Sequence, residues 1–176
     1  MSAEILQNVD TTTRATDLDL PVLRKTLPNG QFGVFTSRPV LAGEVLIVMP
    51  RGELAASPDR FTVQVGVNQH ITGDQLGLAK FLNHHCDANA QMVVVADVDA
   101  PTACALQAVR DIPANHEVTF NYLTTEFDMD EKFTCNCSSL RCYREIRGFR
   151  HLSPDSQQLL VKSSQVAPHL LLLLQQ

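Results

Sequence analysis

Three cysteines lie close together near the end of the chain, and their spacing is typical of a metal site. They are Cys135, Cys137 and Cys142, in the pattern C-x-C-x4-C. Thiolates this close readily share a soft cation, because zinc–sulfur bonds of roughly 2.3 Å place tetrahedral ligands only a few ångström apart. Three ligands leave one corner of the tetrahedron open, so we expect a fourth ligand from elsewhere in the chain, or a water molecule.

The two remaining cysteines have different surroundings. Cys104 lies in an apolar, β-rich stretch, where a small buried thiol is expected. Cys86 lies in the polar segment 83–87, where an inert buried thiol is not expected, so we nominate it as the fourth ligand. Four sulfurs would leave no open position for water, which favours a structural zinc ion over a catalytic one. Ordinary reduced thiols and redox sensing are the alternatives.

Length and charge restrict the classes of function. The chain has 176 residues and a net charge of -5, which predicts one domain with its own core and disfavours direct nucleic-acid binding as the main role. Its five cysteines and the polar start of the sequence predict an intracellular protein without a secretory signal. The longest apolar run, Leu170–Leu174, is far shorter than the roughly 20 residues that cross a bilayer.

Short apolar or alternating runs, separated by turn signals, predict many strands. A strand is also expected to begin near residue 21, and residues 75–83 are expected to form one or two helical turns. The strand predictions are 33–36, 45–49, 61–65, 70–72, 91–96 and 102–109, of which the last two should form a hairpin. Strands that do not alternate with helices indicate a β-rich α+β domain rather than a doubly wound sheet.

Polar and charged segments surround this β-rich part. Residues 1–20 are predicted to be a flexible lead. Ser153 is a favourable N-cap with a proline after it, and Pro168 is expected to begin a second short helix that packs on its own domain.

Two charged segments are interpreted as solvated faces that attract each other weakly. One holds the acidic residues Glu126, Asp128, Asp130 and Glu131, and the other is the arginine-rich segment 141–150. His70 is expected to be exposed.

Four segments together resemble the SET-domain family. Residues 83–89, Asn-His-His-Cys-Asp-Ala-Asn, resemble the motif N-H-S-C-x-P-N, and residues 117–122, Glu-Val-Thr-Phe-Asn-Tyr, resemble E-L-T-F-D/N-Y. The three clustered cysteines match the post-SET pattern, and residues 30–35 are similar to the glycine-rich start G-x-G-V-F. Each motif is weak alone, whereas their order over residues 30 to about 149 is specific.

The resemblance implies a SET-type β-clip fold, with small curved sheets around a pseudo-knot. The expected organisation is a SET domain at 21–130, a post-SET zinc segment at 131–150 and a C-terminal helical extension at 151–176. In that family the post-SET cysteines bind zinc together with the cysteine of the first motif, which is Cys86 here.

The resemblance also implies S-adenosylmethionine as cofactor and a protein lysine as the usual methyl acceptor. By the same resemblance, the cofactor contacts fall on Gly33, Phe35, Asn83, His84 and Tyr122. Tyr122 is the catalytic candidate, because its hydroxyl can orient the incoming amine, whereas an unperturbed tyrosine pKa of about 10 makes it a poor general base. Turn stabilisation by Asn83 and His84, and ordinary core packing by Tyr122, are the structural alternatives.

Several departures from the family pattern leave the acceptor open. Gln31 stands at the first motif glycine, His85 at the motif serine and Ala88 at the motif proline. The stretch between Pro50 and Lys80 is short, and the chain has no tryptophan to line an acceptor channel. A small-molecule acceptor, or an idle SET fold that acts as a zinc-stabilised interaction module, therefore stands beside the protein-lysine hypothesis. The oligomeric state is not predicted.

Overall fold

The computed structural model describes residues 20–95, 97, 99–163 and 166–175, so the predicted flexible lead lies almost wholly outside the described residues. The strands are β1 (Val22–Thr26), β2 (Phe32–Thr36), β3 (Val45–Pro50), β4 (Leu54–Ala55), β5 (Val63–Gly66), β6 (Gln69–Ile71), β7 (Asn83–His84), β8 (Ala90–Val94), β9 (Thr102–Ala108), β10 (Glu117–Phe120), β11 (Phe133–Thr134) and β12 (Glu145–Ile146). The α-helices are α1 (Gly73–Leu76), α2 (Pro154–Lys162) and α3 (Pro168–Leu173), and 3-10 turns occur at Gly77–Phe81, Tyr122–Thr124 and Phe149–His151.

These strands form four small sheets, with the orders β1-β2-β10-β7, β3-β9-β8, β4-β6-β5 and β11-β12. The predicted hairpin is confirmed, since β8 and β9 pair antiparallel with Ala90 opposite Ala108. Strand β9 is central in its sheet and nearly continuous in burial, which explains why its sequence is an apolar run rather than an alternation.

The first sheet places two of the sequence motifs side by side. Strand β10 pairs antiparallel with β2, with Glu117 opposite Phe35, and parallel with β7, with Thr119 opposite Asn83. Parallel neighbours need a long connection, and the chain forms β8 and β9 on the way from one to the other. The segments around Asn83 and Glu117 therefore meet although they are distant in sequence.

Buried apolar side chains form two clusters. The larger one, here called the β core, draws its buried members from Val22 to Phe120 and includes Leu46, Met49 and Leu106. The smaller one, here called the C-terminal core, has six buried members: Leu123, Cys135, Ile146, Phe149, Leu160 and Leu170. Tyr122 packs against both clusters and therefore lies at their boundary.

The C-terminal helices pack on the domain, as the sequence predicted. The hydroxyl of Ser153 accepts a hydrogen bond from the Ser156 N–H at 3.3 Å, which caps α2. The N–H of Ala167, just before α3, donates to the Thr124 carbonyl at 2.8 Å, and Leu170 is fully buried. Among the described residues, no helix has both the length and the apolar character needed to cross a membrane.

Two predictions about polar side chains are wrong. Glu126 is only 7% exposed, and its Oε1 accepts hydrogen bonds from the Gln64 N–H at 3.0 Å and the Thr125 hydroxyl at 3.1 Å. Burial raises the pKa of this carboxyl to about 7. His70 is 4% exposed, because the pairing of β6 with both β4 and β5 turns its ring inward.

Candidate functional site

The structure brings the four nominated cysteines together. Their Sγ atoms all lie within 4.8 Å of one another, and the Cys86 sulfur is 3.9 Å from those of Cys135 and Cys142. Tetrahedral zinc with bonds of roughly 2.3 Å requires sulfur separations of about 3.8 Å. All four are free thiols, so the donor set and its spacing fit a tetrahedral thiolate site.

Two short elements build this site around one upstream ligand. Strands β11 and β12 pair antiparallel, with Thr134 opposite Glu145, so the loop between them carries the clustered cysteines. The Cys135 N–H donates to the Arg144 carbonyl at 2.6 Å, which closes the base of that loop. Cys86 follows β7, a strand of the first sheet, and its side chain packs against the C-terminal core.

Backbone N–H groups point at the sulfurs, as expected for thiolates. Tyr143 N–H donates to the Cys86 sulfur at 3.4 Å, and Arg144 N–H donates to the Cys142 sulfur at 3.4 Å. Burial opposes ionisation of Cys137, but backbone hydrogen bonds from Cys86 and Ser139 outweigh it and lower the thiol pKa to about 6. Burial raises the pKa of the Cys86 thiol, so its ionised form requires the charge of a cation.

A second group of residues lies at the junction of β2, β7 and β10. A Cβ added to Gly33 would lie 2.7 Å from Glu117 Oε1 and 3.4 Å from Asn83 Nδ2, so a larger residue here would displace the Glu117 carboxylate from the Asn83 amide. The Asn83 amide donates to Glu117 Oε1 at 2.7 Å and to the Phe32 carbonyl at 3.0 Å. The Phe35 ring lies against the same point, 3.1 Å from the added Cβ.

Glu117 is a site residue that the sequence reasoning missed. Its only signal in the sequence is its place as the first residue of the motif at residues 117–122. Because its carboxylate orients the Asn83 amide nitrogen, the Asn83 side-chain oxygen is left as an acceptor. That oxygen accepts no hydrogen bond from any residue that the structure describes.

Tyr122 lies where β10 ends and a 3-10 turn begins. Its hydroxyl donates to the Leu82 carbonyl at 2.6 Å, and its ring is surrounded by those of His84, Phe120 and Phe133, with centroids at 5.2, 4.8 and 6.2 Å. Burial raises the pKa of this phenol above its usual range, so the hydroxyl stays protonated. It can therefore orient a neighbouring group but cannot act as a base.

His84 uses both of its ring nitrogens within the protein. Nδ1 accepts the Tyr122 N–H at 3.1 Å, and Nε2 lies 3.2 Å from the Cys86 sulfur. Burial lowers the pKa of this imidazole to about 4, so it is neutral near pH 7. Only the backbone of His84 is left for the cofactor contact that the resemblance implied.

Two clefts lie outside this junction. One, of about 600 Å³, is lined by residues that include Gln64, His70 and Phe127, and another, of about 420 Å³, lies between His85 and the 137–141 loop. Neither is lined by Tyr122.

Comparison with known proteins decides the family. The model of the SET domain matches residues 31–123, more than half of the chain. The chain belongs to the SET-domain family. This match includes Gly33, Asn83 and Tyr122, and the predicted SET-type fold of small sheets with few helices is confirmed. The domain boundaries at 21–130, 131–150 and 151–176 stay predictions.

The SET-domain relatives are much longer proteins. "Histone-lysine N-methyltransferase, H3 lysine-4 specific" from Emericella nidulans is 34% identical over 67 residues, 38% of this chain and 5% of its own length. Human "Histone-lysine N-methyltransferase 2B" is 28% identical over 76% of this chain and 6% of its own length. The structure of KRYPTONITE in complex with mCHH DNA, H3(1-15) peptide and SAH has a TM-score of 0.52 at 19% identity, over 70% of this chain and 29% of that one.

Proposed function

We propose that this SET domain transfers a methyl group from S-adenosylmethionine to a lysine side chain of a protein. The observation that carries the proposal is the protonated Tyr122 hydroxyl, which is fixed 2.6 Å from the Leu82 carbonyl, next to the Asn83 junction. The relatives named above are histone-lysine N-methyltransferases, which supports a protein lysine as the acceptor class.

The junction of Gly33, Asn83 and Glu117 suits an amino acid ligand that carries positive charge. The Asn83 side-chain oxygen can accept hydrogen bonds from an α-ammonium group, and the Glu117 carboxylate lies 2.7 Å from the same amide. Phe35 provides an apolar surface beside them. S-adenosylmethionine matches this chemistry, and when it is bound it supplies an electrophilic methyl group on a cationic sulfur.

The protein contributes orientation rather than acid–base chemistry. The Tyr122 hydroxyl donates its proton to Leu82, so its oxygen lone pairs can accept an N–H of the incoming amine and fix the direction of the nitrogen lone pair. Nearby backbone carbonyls can accept weak C–H···O contacts from a polarised methyl group. The lysine proton leaves to solvent before transfer, and rate enhancement comes mainly from holding the two partners in line.

We assign a structural zinc ion to Cys86, Cys135, Cys137 and Cys142. Four thiolates leave no coordination position open, so the metal would fix the C-terminal core against the β core rather than take part in the reaction. Because such thiols persist in reducing compartments, we place the reaction inside the cell.

Calorimetric titration with S-adenosylmethionine tests this function. We expect saturable binding by the wild type, much weaker binding by Asn83→Ala, and wild-type binding by Gln158→Ala, a control that removes an exposed amide on α2. Mass spectrometry of peptide arrays and a cell lysate then identifies the methylated product. Absence of binding heat would reject the methyltransferase, and products found only on small molecules would replace the acceptor class.

A further inference from the structure

His84 stands between the cysteine cluster and the catalytic candidate. Its Nδ1 accepts the Tyr122 backbone N–H at 3.1 Å, and a backbone N–H can only donate, so Nδ1 carries no proton. An imidazole ring keeps at least one N–H proton, so that proton is on Nε2. Because Nε2 lies 3.2 Å from the Cys86 sulfur, that proton is donated to the sulfur.

The segment from Leu82 to Cys86 holds Tyr122 at two points. The Tyr122 hydroxyl donates to the Leu82 carbonyl at 2.6 Å, and the Tyr122 N–H donates to the His84 ring. The imidazole is itself fixed, because His84 lies opposite Phe120 in the β7–β10 pairing and packs edge-on against Phe133 at 5.8 Å. A rotation of this ring would release the Tyr122 backbone and the Cys86 sulfur together.

We infer that His84 is a positioning residue that couples the metal-binding sulfur of Cys86 to the orientation of Tyr122. A metal-bound thiolate accepts a hydrogen bond more strongly than a thiol does, so metal binding fixes the ring proton on Nε2 and keeps Nδ1 as an acceptor. The assignment of Tyr122 as catalytic rests on the proposed function. The hydrogen bonds that connect the Cys86 sulfur, the His84 ring and the Tyr122 N–H do not depend on it.

Two amide variants separate the two halves of this link. In His84→Asn the side-chain oxygen takes the place of Nδ1, so the acceptor for Tyr122 is kept and the donor to Cys86 is lost. In His84→Gln the longer amide reaches the place of Nε2, so the donor is kept and the acceptor is lost. His116→Asn is the matched control, since the His116 ring is exposed and its Nδ1 lies 3.2 Å from the carbonyl oxygen of the nearby Ala114.

We expect the two variants to differ in which measurement changes, the rate of zinc release to a chelator or the turnover in steady-state kinetics. We expect His84→Asn to release zinc about 10- to 100-fold faster than the wild type, which is the usual scale for a lost partner of a metal ligand. We expect His84→Gln to retain zinc at nearly the wild-type rate but to lose turnover, with unchanged affinity for S-adenosylmethionine. His116→Asn should match the wild type in both measurements.

Nuclear magnetic resonance of the wild-type protein can locate the His84 ring proton directly. With cadmium-113 in place of zinc and nitrogen-15 in the histidines, we expect His84 to be protonated at Nε2 and to show coupling between that proton and the metal. A ring proton on Nδ1 in the loaded protein, or equal zinc release by the wild type and His84→Asn, would overturn the inference. Because neither measurement requires a methyl acceptor, the expected spectra together with no methyl transfer would reject the proposed function and leave the His84 link standing.

Discussion

The two cores of this domain differ in what stabilises them. The β core collects apolar side chains from three sheets and includes residues such as Leu46 and Leu106 with no exposed surface. The C-terminal core has six buried members, and Cys86, Cys137 and Cys142 pack around it with their sulfurs clustered. A core this small rarely stabilises a segment alone, so we expect the metal to supply what apolar burial does not.

The contrast explains the position of the site. Tyr122 packs against both cores, and the residues that hold it, Leu82 and His84, belong to the segment that ends in Cys86. The proposed catalytic residue therefore lies at the boundary between the β core, which folds by apolar burial, and the C-terminal core, which we expect to depend on a metal. We expect substitutions in the two cores to differ in their effects on zinc retention, stability and turnover.

Loss of the metal should have the largest effect. We expect Cys86→Ser to lower zinc from about one ion per chain, because three thiolates bind less strongly than four. Hydrogen exchange should become fast in β11 and β12 and stay slow in β3 and β9. Cys104→Ala, which removes a sulfur buried in the β core 3.5 Å from the Met49 sulfur, should retain the metal. Equal loss of protection in all four strands would contradict the distinction between the cores.

Glu126 joins the two cores, since its carboxyl bonds to Gln64 and its carbonyl accepts the Phe149 N–H at 2.8 Å. Burial raises its pKa from 4.5 to about 7, so the folded state holds this proton more tightly than the unfolded state. Its contribution to stability is therefore present at low pH and lost as the pH rises from about 4.5 to about 7.

The variant Glu126→Gln should remove this pH dependence. We expect it to be more stable than the wild type above pH 7, by on the order of 3 kcal/mol, and similar to it near pH 4. Urea unfolding at several pH values measures the difference. If the two proteins differ by the same amount at every pH, Glu126 does not titrate in this range.

Removal of the Tyr122 hydroxyl should affect the reaction alone. We expect Tyr122→Phe to lower turnover about 100-fold, the scale of a lost positioning contact, while cofactor affinity and zinc content stay at wild-type levels. Single-turnover methylation and calorimetry separate these quantities. Unchanged turnover would remove Tyr122 from the role proposed for it.

The smallest effect is expected at the cap of α2. Ser153→Ala removes the acceptor for the Ser156 N–H and should cost about 1 kcal/mol of stability. The thermal midpoint should fall without faster zinc release, because this helix packs on the C-terminal core from outside the cysteine cluster. Ser37→Ala, a change at an exposed serine of the β core region, is the control.

Much of the fold could be predicted from local patterns. Turn signals and apolar or β-rich runs identified the strands that became β2, β3, β8 and β9, and the turn between the last two identified their hairpin. Period-two alternation identified most of β5. Ser153 and Pro168 identified the starts of α2 and α3. The spacing of Cys135, Cys137 and Cys142 identified the cluster, since ligands close in sequence are close in space.

Pairings between distant segments could not be read from such patterns. Strand β7 has two residues and is defined by its parallel partner β10 rather than by its own sequence. The burial of His70 and Glu126 likewise depends on which segments cover them, and polar side chains give no local sign of a partner such as Gln64. The side-chain link of His84 to Cys86 was hidden for the same reason.

The upstream position of Cys86, 49 residues before Cys135, has a consequence for assembly. A nascent or incompletely folded chain offers a metal only the three neighbouring sulfurs, and the fourth arrives when β7 is seated beside β10. If zinc binds as proposed, we expect its tight retention to be acquired late in folding. Resistance to a chelator would then distinguish mature protein from chains that have native-like strands but an unfinished end.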